Sequence, residues 1–178
     1  PTLHEKFSLN SMTAHIVAPG AKTIPLHIDS VVPEPIPKTM IRCIAILALD
    51  EFTRNNGATA LVPGSHKLCR RPTPIDAKKA KPFKAVCKAG SLIIFDGSVW
   101  HHSTSNTSPN PRMGLMLSYA ASYFQEISGE EEHLSIIPKK TLESFSLKMK
   151  QMVGYKNRIK KGALYRDENL YNLDLNNF

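Results

Sequence analysis

His27 and Asp29 stand two residues apart in Leu26-His27-Ile28-Asp29, and about seventy residues later Trp100-His101-His102 brings two more imidazoles. In an extended strand, residues two apart project to the same side, so a strand reading sets an imidazole beside a carboxylate. Taken alone the pair is weak evidence, because a core histidine hydrogen-bonded to an aspartate is the more common origin of His-x-Asp. Two histidines and one carboxylate together are the donor set that occupies one face of an octahedral ion and leaves three positions open, as in non-haem iron oxygenases. A structural zinc site would instead close a tetrahedron, usually with cysteine, and Cys43, Cys69 and Cys87 are not near either segment in sequence. Arg112 opens a later strand-like run. A guanidinium projecting into the same interior would clamp a carboxylate through two parallel hydrogen bonds. An exposed arginine at a strand start accounts for Arg112 equally well. His66, in the turn Val62-Pro63-Gly64-Ser65-His66, reads as a turn residue capping local backbone, and His4, His15 and His133 have no partner pattern.

The candidates need extended elements to carry them, and the chain is punctuated as a β-rich protein would be. Met12–Val17 alternates and stops at Pro19-Gly20, and Thr23–Asp29 reads as the strand carrying the first two candidates. Pro33, Pro35 and Pro37 cannot serve a central ladder, so that stretch is expected at a barrel mouth as rim or lid. Thr39–Leu49 is an apolar strand, Arg54-Asn55-Asn56-Gly57 a turn, and Ala58–Val62 a short strand ended by Pro63-Gly64. A loop rich in lysine and proline spans Lys67 to Pro82. Phe83–Lys88, Ser91–Phe95 and Ser98–His102 follow as strands divided by Ala89-Gly90 and Asp96-Gly97, and Arg112–Phe124 closes the β part. No internal repeat or βαβ rhythm appears. The expectation is one mainly β domain, a closed roll or sandwich over about residues 12–124, followed by a helical C-terminal segment over about 138–165.

At 178 residues and 42% hydrophobic, the chain can bury one core, and no apolar run approaches a bilayer span. No charged-then-apolar leader opens it, and it starts at Pro1 without an initiator methionine, as a fragment, a processed form or a trimmed chain would. Three scattered cysteines without CxxC spacing point to a reducing cytoplasm. Much of the net charge of +8 lies late, where Lys139, Lys140, Lys148, Lys150, Lys156, Arg158, Lys160, Lys161 and Arg166 share a stretch with Leu142, Phe145, Met149 and Met152 at helical spacing. That is an amphipathic basic helix around Leu142–Val153. A solvated helix face explains it better than nucleic-acid binding, because no aromatic stacking array accompanies the lysines.

The stretches Leu26-His27-Ile28-Asp29, Asp50-Glu51-Phe52-Thr53-Arg54-Asn55-Asn56-Gly57-Ala58-Thr59, Val62-Pro63-Gly64-Ser65-His66-Lys67, Gly90-Ser91-Leu92-Ile93-Ile94-Phe95, and Trp100-His101 through Asn106 to Arg112 agree in order and spacing with a known pattern. Over roughly Met12 to Phe124 the chain resembles the phytanoyl-CoA dioxygenase family. The resemblance implies a double-stranded β-helix, a jelly roll like that of the cupins, using Fe(II), 2-oxoglutarate and O₂. It implies His27, Asp29 and His101 as metal ligands, Arg112 as the clamp on the 5-carboxylate of 2-oxoglutarate, and Ser103 as its hydroxyl helper. It also separates the adjacent histidines, because the family's ligand stands five before the asparagine that matches Asn106; His102 is then expected to face away. Thr59 is a further candidate for a hydrogen bond near the cosubstrate, while Asn56, Gly57, Asn106 and the Pro63-Gly64-Ser65-His66 turn are expected to hold backbone geometry. Family members usually carry a longer helical N-terminal part packed on the outer sheet, and here only about a dozen residues precede the Met12 strand. An uncovered sheet face is therefore expected to be exposed.

The implied reaction is hydroxylation of a small organic substrate with release of succinate and CO₂. Ring closure, desaturation and halogenation are related outcomes, and the carboxylate of Asp29 argues against the last. Basic, proline-rich rim loops at Val32–Lys38 and Lys67–Pro82 favour an anionic substrate. Two other classes remain: a cupin-like zinc or manganese hydrolase or isomerase, and a non-catalytic module binding through the basic C-terminal helix. The first would show no response of its metal spectrum to 2-oxoglutarate, and the second would bind with steep salt dependence and survive loss of His27.

Overall fold

The computed structural model describes residues 7–121 and 136–153. Among these residues seven strands form two antiparallel sheets. The first sheet runs β1 (Phe7–Val17), β7 (Arg112–Ala121), β2 (Arg42–Ala48), β5 (Leu92–Asp96) in spatial order, and the second runs β4 (Phe83–Lys84), β3 (Thr59–Leu61), β6 (His101–Ser103). The segment holding His27 stands beside β6 through an isolated antiparallel bridge to His101, so the smaller sheet has a fourth extended position. Two four-position antiparallel layers around one core are the jelly roll that the strand rhythm predicts.

Alternation explains how the layers face each other. Ile44, Ile46 and Ala48 of β2 are buried with Phe95 of β5, and Phe52, Ala58 and Val99 from the connecting segments complete the core. Leu61, Cys87, Ile93 and Met116 pack against it, half-buried. The opposite face of the first sheet is also apolar. The register sets Met12 against Leu117 and Leu117 against Ala45, which pairs with Ile94 on β5. One row on, Ala14, Leu115, Leu47 and Leu92 follow in the same way. Met12, Ile16 and Ile94 are 60%, 65% and 61% exposed, with Leu92 and Met113 also open to solvent. A contiguous apolar flank thus lies outside the roll.

Several element boundaries differ from the sequence expectation. Thr23–Asp29 is extended but is not a regular strand: Pro25 has no N–H to donate, and the segment's backbone bonds to the β6 side only where Ile24 meets Ser103, His27 meets His101 and Asp29 meets Gly97. Phe83–Lys88 is a strand only at Phe83–Lys84, with Cys87 returning to exchange backbone bonds with Phe52. The 67–82 loop contains a short helix, α1 (Pro74–Lys79). Its signal was present in Thr73-Pro74-Ile75-Asp76, where Thr73 and Asp76 form a reciprocal capping box with Pro74 in the first turn. The helix expected at Leu142–Val153 is two, α2 (Lys139–Ser144) and α3 (Leu147–Met152), parted by extended backbone at Phe145. Ser146 restarts it by accepting from Met149 N at 3.2 Å. Residues 154–165 of that helical expectation, the 122–124 end of the last strand, His4 and His133 lie outside the described residues.

Gly57 carries the turn that leads into β3. Its φ of +80° is left-handed, and a Cβ there would stand 2.6 Å from Val17 Cγ1 and 3.2 Å from Thr104 O. Gly57→Ala should therefore cost at least about 2 kcal/mol, from a left-handed penalty of about 1–2 kcal/mol plus the contact. The expected drop in melting temperature is about 4–8 °C, read by thermal circular dichroism.

Candidate metal centre

His27, Asp29 and His101 converge. Each offers a ligand atom within 4.8 Å of the other two, and among the described residues this is the only group of three or more His, Cys, Asp or Glu side chains that does so. Asp29 Oδ1 lies 3.8 Å from His27 Nε2 and Asp29 Oδ2 lies 3.3 Å from His101 Nε2. The other ring nitrogens are committed. His27 Nδ1 bonds the carbonyl of Pro25 at 2.8 Å and His101 Nδ1 bonds that of Val99 at 2.9 Å. A carbonyl only accepts, so each imidazole holds a proton on Nδ1, and in its neutral form each turns an Nε2 lone pair toward Asp29. Asp29 Oδ2 is buried without a hydrogen-bond partner. Two aimed lone pairs and a buried, unsatisfied carboxylate oxygen are what a divalent cation would complete, and the N₂O donor set suits iron or a similar first-row ion.

Charge favours the same arrangement. Burial pushes the Asp29 carboxyl up, but the His101 imidazole, with His27 and Arg42 adding to it, outweighs burial and holds it below the usual carboxylate range. His101 is buried against the Phe95 ring at 4.9 Å between centroids, whereas the His27 side chain is 38% exposed. The centre is therefore walled on the His101 side and open on the His27 side. His102, the neighbour expected to face away, lies opposite Ala60 on β3 rather than in the cluster. Burial lowers its pKa, and the nearby His27, His101 and Lys84 charges act in the same direction.

Along β3 and β6 the remaining candidates follow in order. Leu61 pairs with His101 and Thr59 with Ser103, so by alternation Thr59, Ser103, Leu61 and His101 share one face, with the hydroxyl pair one strand step from the His101 pair. Two residues before Thr59, Gly57 O accepts a short hydrogen bond from Arg112 Nη2. Arg112 is almost fully buried, with its guanidinium carbon 4.1 Å from the Phe52 ring centroid and Nε buried without a partner. Burial pulls its pKa down, with Asp50 and Cys87 opposing, and an arginine stays charged at neutral pH regardless. The surface reading of Arg112 is thus wrong: the side chain is a buried cation with donors to spare, inside the roll.

The motif residues brace this assembly. Ser65 Oγ accepts from Trp100 N at 2.8 Å and donates to Val62 O at 2.8 Å, fixing the residue before His101. Asn56 bonds Thr53 N and Glu51 O through its side chain, and the Asn106 side chain bonds Val17 O, Asn110 O and Ser108. His66 keeps its Nδ1 buried without a partner and stands outside the cluster. Sequence reasoning passed over Arg42, a charge inside the run Thr39–Leu49 read as an apolar strand. It is buried on β2 and donates to Ser118 Oγ at 3.0 Å, and the interruption of that run was its signal.

The rim loops are latched together. Glu34 Oε1 accepts from Arg71 N at 2.7 Å, Cys69 O accepts from Ile36 N at 2.8 Å, and Arg70 forks onto Asp76 at 2.6 and 3.0 Å while its carbonyl accepts from Trp100 Nε1 at 2.9 Å. Arg70 and Arg71 are therefore already matched by acids, which leaves the loop lysines as the basic groups facing solvent. Arg70 first, then Thr73, hold the Asp76 carboxyl well below the usual carboxylate range. A depressed carboxyl stabilises the fold above its unfolded value of about 4 and gives that up only as pH falls through the lower folded value. Protection of the Ala77 and Ala80 amides, corrected for intrinsic exchange, should thus be equal at pH 7 and pH 5 and fall at both in Asp76→Asn.

The sequence profile of phytanoyl-CoA dioxygenase (PhyH) matches residues 2–114, which is 113 of the 178. The chain belongs to the phytanoyl-CoA dioxygenase family. It is similar to dioxygenase af480 of Aspergillus fumigatus, 30% identical over 155 residues, covering 85% of this chain and 48% of that protein. It is also similar to dioxygenase cdmD of Talaromyces verruculosus, 34% identical over 113 residues, covering 62% and 35%. The chain spans about half or less of the length of these curated relatives. Among solved structures, EctD from S. alaskensis with 2-oxoglutarate and 5-hydroxyectoine matches with a TM-score of 0.55 at 24% identity, covering 66% of this chain and 45% of that one. The 2-oxoglutarate-dependent carbocyclase SnoK from nogalamycin biosynthesis matches at 0.57 and 18%, covering 74% and 57%. These likenesses establish the family's double-stranded β-helix for this chain. No helix among the described residues is long and apolar enough to cross a membrane.

Proposed function

We propose that this chain is the core of an Fe(II)- and 2-oxoglutarate-dependent oxygenase that hydroxylates a small organic substrate. The observation that carries the reading is the convergence of two Nε2 lone pairs and an unsatisfied Asp29 oxygen, inside a roll that also buries Arg112. His27, Asp29 and His101 would hold the iron, and Arg112 would take the distal carboxylate of 2-oxoglutarate. Thr59 and Ser103, paired between these two points, would supply hydroxyl donors to the cosubstrate. Iron and 2-oxoglutarate together supply the oxidising equivalent, so that substrate C–H, 2-oxoglutarate and O₂ become the alcohol, succinate and CO₂.

The chain's own residues orient and exclude. The carbonyls of Pro25 and Val99 fix both imidazole tautomers, and Arg112 on Phe52 sets the far end of a five-carbon dicarboxylate. The exposed His27 side is the open approach for substrate. With the rim arginines matched, any preference for an anionic substrate would fall to the loop lysines. The test is an anaerobic titration with Fe(II) and 2-oxoglutarate. A weak visible charge-transfer band should appear only when both are present, and its absence would sink the reading. A zinc or manganese hydrolase on the same roll would give no such band and no succinate.

A further inference from the structure

The three candidate ligands lie on only two stretches of chain, residues 27–30 and 97–101, and these are zipped together from both ends. At one end His27 and His101 exchange both backbone hydrogen bonds, at 3.0 and 2.9 Å. At the other end Gly97 O accepts from Asp29 N at 2.8 Å and from Ser30 N at 3.1 Å. Ser98 Oγ closes that end by donating to Ser30 Oγ at 3.0 Å, and Ser98 N holds the turn by donating to Asp96 Oδ1 at 2.8 Å. Asp29 N and Ser30 N meet the same carbonyl where the chain turns at Gly97-Ser98, so the hydroxyl pair at that turn and the histidine bridge bracket Asp29 between them.

Ser30 and Ser98 are 1% and 6% exposed, so each gives up water to make this bond. An apolar pair of the same size would fill the space with no such desolvation. It would also tolerate a slip that a directional bond does not. Slip matters here, because a shift of residues 29 and 30 against the Gly97-Ser98 turn would carry the Asp29 carboxylate away from the imidazoles.

We propose that Ser30 and Ser98 are positioning residues of the metal centre: their buried hydroxyl pair locks residue 30 onto the Gly97-Ser98 turn and so holds the Asp29 carboxylate between His27 and His101. The inference rests on those three side chains being the ligands. The serines themselves touch neither ion nor substrate.

Co(II) titrated into the metal-free 178-residue chain tests this, because its visible bands report ligand geometry as well as affinity. Wild type should bind one equivalent. Ser30→Ala and Ser98→Ala should each bind about tenfold more weakly with altered bands, the low end of what partners that orient a ligand contribute. The double variant should be no weaker than either single, since the pair acts as one unit. Should a single variant fail to fold because one hydroxyl is stranded, S30A/S98A strands none and carries the test alone. Wild-type affinity and bands in folded variants, even with a lower melting temperature, would overturn the proposal and leave the metal-centre reading standing. A wild type that takes up no Co(II) would overturn both.

Discussion

Replacing His101 with alanine is expected to abolish Fe(II) or Co(II) binding in the micromolar range while leaving the β-sheet signature intact. One of three protein donors is lost, and no other His, Cys, Asp or Glu among the described residues joins the cluster to replace it. Partners that merely orient a ligand are worth about 10- to 100-fold in metal affinity, so loss of a ligand itself should exceed about 100-fold. The site's neighbours sharpen the expectation, because the variant leaves Val99 O without its imidazole donor and Asp29 without the closer of its two imidazoles. Metal titration followed by optical spectroscopy is the measurement, with circular dichroism as the control. Retention of binding within a few-fold of wild type would remove His101 from the centre.

Arg112→Ala is the second large effect, and it should separate cosubstrate from metal. Truncating one partner of a buried, charge-assisted pair costs about 2–5 kcal/mol, on the order of 30-fold to several thousand-fold in 2-oxoglutarate affinity. Co(II) affinity should stay near wild type, since Arg112 is not in the ligand cluster. Stability will also fall, because Gly57 O loses its buried donor and Phe52 loses the guanidinium stacked on it. Arg112→Lys isolates the cause: it keeps the charge but not the planar fork, so it should recover part of the fold's stability and little of the cosubstrate affinity. Unchanged 2-oxoglutarate affinity in both variants would end the assignment.

The roll and its candidate centre were legible because strand alternation and turn residues are local. His-x-Asp, the glycine turns and the Pro63-Gly64-Ser65 signature each act within a few residues, and the structure puts them where that local chemistry requires. What escaped sequence reading depends on partners distant in the chain. Arg112 was undecided until Gly57 and Phe52 were seen beside it, and Arg42 was invisible until Ser118 met it across β2 and β7. The strand expected at Thr23–Asp29 reduced to a single bridge because Pro25 lacks a donor, a local fact that its apolar neighbours had masked. Helix α1 was missed although Thr73 and Asp76 announced it, because proline and lysine content led the 67–82 stretch to be read as loop.

The apolar flank of the first sheet sets how this chain behaves in solution. A net charge of +8 keeps copies apart when ionic strength is low, but the repulsion reaches only about 8–10 Å near physiological salt. Sulfate and phosphate meanwhile strengthen the burial of surfaces such as the one bearing Met12, Ile16 and Ile94. The two forces trade dominance as salt rises, so dilute buffers without strongly excluded anions should keep the protein dispersed, and salting-out should begin at this flank.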